Sequence, residues 1–136
     1  MEIQQIMRIL LEDPDPYIRI YCLKRLGQEG GGDSVREAII SCLRSDSDPI
    51  VRHEAAFWLG EMGDPEATQA LAEAAVKDTS PLVRHECVEA LGWIPTEASK
   101  KALQKALQDR DEAVRKTAEI SLDIHRNPRE KWESQI

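Results

Sequence analysis

Apolar residues recur along this chain at three- and four-residue spacing, in runs broken by Pro, Gly, Asp and Ser. That is the period of helices with one buried face. The spacing predicts helices over Ile3–Glu12, Ser34–Arg44, Glu66–Lys77 and Glu97–Gln108. Each is followed by a second helix with start chemistry of its own. Asp15-Pro16, Asp48-Pro49 and Ser80-Pro81 set a capping side chain before a proline at the first helical position, and Asp111 can cap the fourth. Gly27, Gly60, Gly63 and Gly92 fall at or near the far ends, where helices stop. Gly30, Gly31 and Gly32 form the loosest loop. With no preceding strand it is expected to link helices and not to cradle phosphate.

The second helices repeat one phrase. Residues 49–60 read PIVRHEAAFWLG and residues 81–92 read PLVRHECVEALG. Fainter copies stand at 16–27 (PYIRIYCLKRLG) and 112–123 (EAVRKTAEISLD). Their arginines, Arg19, Arg52, Arg84 and Arg115, are spaced by 33, 32 and 31 residues. A period of this size marks stacked supersecondary units. The expected fold class is all-α, an α-solenoid of four helix pairs, about eight helices. It is expected to form a single domain over 1–126, with repeats near 1–28, 29–63, 64–94 and 95–126 and a C-terminal tail over 127–136.

Composition narrows the core. Aromatics are only 4% of the chain, so Ala, Leu, Ile and Val must fill it, which suits closely packed helices. Cys22 and Cys87 occupy the small buried slot where other copies have Ala55 and Ala118, so packing is their expected role. Three cysteines with no C-x-x-C argue against a disulfide framework or thiolate zinc site. The net charge of −7 makes nucleic acid an unfavourable partner. No apolar run is long enough to span a membrane, and the first residues carry Glu2 and Arg8 where a signal peptide would be apolar. A cytoplasmic protein is expected.

Candidate chemistry sits in the two central copies. On a wheel of about 100° per residue with Val51 at zero, Ala55 and Leu59 lie within about 80°, while His53 lies near 200° and Glu54 near 300°. His85 and Glu86 repeat this geometry, so both histidines are expected to leave the core. Neighbouring second helices about 8–10 Å apart would let the two imidazoles converge on one ion, with a Glu as third ligand. Two His and a carboxylate suit non-haem iron, and zinc or manganese has the same claim on ligand type alone. The first-turn dipole is expected to favour neutral imidazole, the ligating form. The plain alternative is a His-Glu inherited by duplication and idle, since the outer copies read Ile20-Tyr21 and Lys116-Thr117. Phe57 and Glu89 share an outward slot near 240° on the same wheel and form a candidate substrate or partner face. Trp58 is expected in the core. Trp132, in the charged tail, is expected to anchor that tail or contact a second subunit. His125 stands outside the repeat register and is expected at the surface. Asp46, Asp48 and Asp109 are expected to cap helices or pair with the repeat arginines.

The pattern resembles the HEAT-repeat family, in its short form with consensus D-x-x-V-R-x-x-A-x-x-A-L-G, over residues 2 to 124. That resemblance implies second helices along a concave face. The strings VRHEAAFWLGEMGDPEA and PLVRHECVEALGWI further resemble the deoxyhypusine hydroxylase family. Those enzymes hydroxylate a modified lysine on a translation initiation factor, using two irons and dioxygen. The resemblance assigns His53, Glu54, His85 and Glu86 to iron. Such an enzyme has four His-Glu pairs in two halves, whereas this chain has two. It implies one iron per chain, and a homodimer of facing concave surfaces to restore a di-iron site. Two other functions remain open: a metal-free scaffold gripping a protein or peptide, and a relative of the phycobilin lyases, similar at repeat level only.

Overall fold

The computed structural model describes residues 1–128, so Trp132 and its expected contacts lie outside the described residues. Eight α-helices follow in order: α1 (Ile3–Glu12), α2 (Pro16–Glu29), α3 (Gly32–Ser45), α4 (Pro49–Met62), α5 (Thr68–Lys77), α6 (Pro81–Gly92), α7 (Glu97–Ala106) and α8 (Glu112–Arg126). The expected helix over 66–77 is divided. Pro65–Ala67 forms a 3₁₀ turn and α5 begins after it. No strand occurs among the described residues. Each odd helix packs on the even helix that follows, and α2, α4, α6 and α8 pack side by side in one layer. The result is an all-α solenoid.

The starts of the even helices follow the local chemistry, with one exception. Asp15, Asp48 and Asp111 accept the N–H of Tyr17, Ile50 and Val114. Ser80 does not cap through its side chain. The carboxylate of Asp78 accepts the Ser80 N–H, as Asp13, Asp46 and Asp109 accept the equivalent N–H in the other repeats. The glycine run is shorter as a linker than expected, because α3 opens at Gly32. Gly30, Gly31 and Gly32 all have positive φ, which explains the run.

Two of the repeat glycines serve contact more than termination. At Gly60 a Cβ would lie 2.8 Å from the Cβ of Ala90, and at Gly92 it would lie 2.7 Å from the Ser121 Oγ. These positions let α4, α6 and α8 approach backbone to backbone. The core between the layers is aliphatic, with Val51, Ala55, Leu59, Val83 and Leu91 fully buried. Cys22, Cys42 and Cys87 are free and buried, and burial pushes the Cys42 thiol up to about 12. Inert packing residues are the result. Trp58 packs against the core and meets Phe57 edge-on, ring centroids 5.0 Å apart.

A ladder of ion pairs ties the repeats along one edge. Arg19 donates to both carboxylate oxygens of Asp46 at 2.8 and 2.9 Å. Arg52 does so to Asp78 at 2.9 and 3.1 Å, and Arg84 to Asp109 at 3.0 and 3.2 Å. The same guanidiniums donate to the carbonyls of Asp13, Asp46 and Asp78 in their own repeats. Every rung therefore joins two repeats with the bidentate geometry that favours Arg over Lys. Arg84 is 1% exposed. Burial pushes the Asp109 carboxyl up, but Arg84 and the Asp111 N–H outweigh it and hold it below the usual range. Asp46 and Asp109 thus pair with the repeat arginines as expected, Asp48 caps, and Asp78 completes the series.

Candidate metal centre

The first turns of α4 and α6 position the site. Pro49 and Pro81 open these helices. Burying Val51 and Val83 turns the residues two places on toward the outer face. His53 and His85 are both half-buried there. The two imidazoles share one neighbour, Glu86.

His53 reaches across the helix gap, its Nε2 3.3 Å from a Glu86 carboxylate oxygen. Its Nδ1 lies 4.0 Å from Glu54, too far for a hydrogen bond. On α6, donor atoms of His85, Glu86 and Glu89 all lie within 4.8 Å of one another. Glu86 is the buried member, at 7% exposure, and belongs to both groupings. Glu54 is half-buried, and the repeat before it has Ile20 at the position that His53 holds in α4. Glu89, expected on the substrate or partner face, stands among the ligand atoms. Phe57 lies beside it in a cleft of about 50 Å³, shared with Glu61, Glu86 and Trp93. A larger groove of about 360 Å³ lies at the Arg19–Asp46 edge and shares no residue with this face.

The electrostatics correct one expectation. The His53 pKa is raised, first by the Glu86 carboxylate beside it, with partial burial opposing and Glu86, Glu54 and Glu89 adding charge. The shift runs opposite to the one expected from the first-turn dipole: a carboxylate in contact makes the ring hold its proton more tightly than a free imidazole does. The Glu89 carboxyl is also raised. Surrounding protein strips part of its water even though its tip is exposed, and Glu86 adds repulsion. Carboxylates held this close favour a bound cation or proton. The donor set of imidazoles and carboxylates fits a divalent transition metal such as iron. His125, half-buried, lies with its Nε2 2.9 Å from the Leu91 carbonyl, and this contact joins α8 to α6.

Sequence reasoning singles out His53, Glu54, His85 and Glu86 as candidates but not the link from one repeat's His to the next repeat's Glu. A wheel fixes direction around a helix and is silent on how neighbouring helices are offset along their axes. Glu89 was findable, since residues four apart share a face and Glu89 is close to one turn beyond His85.

Human deoxyhypusine hydroxylase, solved in complex with glycerol, is similar at 31% identity with a TM-score of 0.83. The match covers 92% of this chain but 43% of that one, so the chain spans under half of the enzyme's length. The complex of CpcE and CpcF of phycocyanin lyase from Nostoc sp. matches with a TM-score of 0.67 at 23% identity, over 88% of this chain and 75% of that one. At that identity the likeness is one of fold. No curated protein matches the sequence. Residues 3–75 and 36–123 match the family of HEAT repeats. Paired helices, a recurrent Arg–Asp rung and these matches have one explanation: the chain belongs to the HEAT-repeat family.

Proposed function

We propose that this protein binds iron on the outer face of α4 and α6 and acts as a hydroxylase of the deoxyhypusine hydroxylase kind, with a di-iron site formed between two facing chains. The observation that carries this is the meeting of His53 with the His85, Glu86 and Glu89 group at a single buried carboxylate. The likeness to the human enzyme supports it. His53, Glu54, His85 and Glu86 would hold the metal, with Glu89 beside them; zinc or manganese would suit the same atoms. Bound iron would supply oxidising chemistry with dioxygen. The residues of the chain bind and orient. His53 gives up the proton that Glu86 helps it hold, so metal uptake strengthens as pH rises. Phe57 and Glu89 line the side where a protein or peptide substrate would stand, and a second chain would shield the site from water. The proposed setting is the cytoplasm.

Metal analysis after anaerobic iron loading tests the proposal. The expected result is on the order of one iron per chain, lost in the His53→Ala/His85→Ala variant with helicity unchanged. Sedimentation should show a dimer when metal is bound. A loaded protein that retains no iron overturns it. A second reading has its own observation: the His53–Glu86 contact at 3.3 Å satisfies both groups without an ion. On that reading the face is a metal-free docking scaffold, and the variant changes no metal content.

A further inference from the structure

We infer that the outer face of the even-helix layer docks an extended, basic segment of a partner protein that carries apolar side chains at every third residue. The inference rests on the partner-binding part of the function proposed above and needs no metal. The residue after the opening proline is apolar in three successive even helices, and exposed in each: Tyr17 at 81%, Ile50 at 46% and Leu82 at 42%. Ile50 and Leu82 stand three positions before His53 and His85, hence on the same face one turn nearer the helix start. A stripe repeated in register and left in water, bordered by charge, is a mark of a docking surface.

Spacing and charge specify what fits. Packed helices stand about 8–10 Å apart. An extended chain advances about 3.1–3.4 Å per residue, so every third side chain falls about 9–10 Å along. One apolar residue can then meet each of Tyr17, Ile50 and Leu82. Half-buried Glu54 and exposed Glu89 stand on the same two helices as Ile50 and Leu82, on a chain of net charge −7, so the intervening residues should be basic. Without the metal cations of the proposed di-iron site, a second copy would set its acidic row against this one. A segment along the stripe borders the histidines and leaves them open.

The probe is a labelled peptide of repeated Leu-Lys-Lys, titrated onto the full metal-free chain by fluorescence anisotropy. Saturable binding is expected, weakened at least tenfold in Ile50→Ser/Leu82→Ser with helicity unchanged. A Ser-Lys-Lys peptide should also bind at least tenfold more weakly. Equal binding of the two peptides, or full binding by the variant, overturns the assignment. So does sedimentation showing metal-free chains that associate through the stripe and come apart in the variant. His53→Ala/His85→Ala should bind the peptide as well as the parent chain does. Failure of iron uptake with peptide binding intact would sink the hydroxylase proposal alone.

Discussion

Arg52 and His53 are adjacent in α4, as Arg84 and His85 are in α6, yet they belong to two different systems. The arginines turn to an edge where each finds a carboxylate and a carbonyl, and all four copies keep one. The histidines turn outward, only two copies have them, and their partners are carboxylates crowded together. What every repeat shares holds the stack. What two repeats share, in positions the scaffold does not need, is where specific chemistry stands.

The sharpest way to break this contrast is to exchange the fates of neighbours. Arg84→Ala leaves the Asp109 carboxylate buried without its cation and should cost about 3–5 kcal/mol. His85→Ala should stay within about 0.5 kcal/mol. Urea denaturation monitored by circular dichroism measures both, and comparable losses would erase the distinction. Next in size is Gly60→Ala. The new methyl meets Ala90, including its Cα at 3.0 Å, and α6 has to shift. A loss of about 1–3 kcal/mol is expected in the same titration. Smallest is a pH effect confined to the outward system. Glu86 raises the His53 pKa above its ordinary value of 6.5. The stability from that pair is fully present below the unfolded value and is lost as pH rises through the folded one. His53→Gln should therefore lower Tm more near about pH 6 than near about pH 9 in metal-free protein. An equal drop at both would show that the pair adds nothing.

The sequence made much of this legible, for reasons that differ by residue. Pro49 and Pro81 after polar residues mark helix starts through local chemistry, and the outward turn of His53 and His85 follows from helical period alone. Pairing of Asp46 and Asp109 with the repeat arginines was legible because the register recurs. Asp78 holds the same register and was equally readable. The Ser80 cap was misjudged: its hydroxyl makes no capping bond where the carboxylates of Asp15, Asp48 and Asp111 do, although all four N–H groups are accepted alike by the Asp two residues earlier. His53 meeting Glu86 was out of reach, since it depends on the stagger between α4 and α6, which follows from packing such as Gly60 against Ala90.

The rungs run along a single margin of the stack, beside the first turns of the even helices. The histidines, one residue from the rungs, are thus held at nearly constant separation. Toward the opposite ends of the same helices, Gly60 against Ala90 and Gly92 against Ser121 fasten the layer a second time, so α4, α6 and α8 form one slab on which the outer face is laid out.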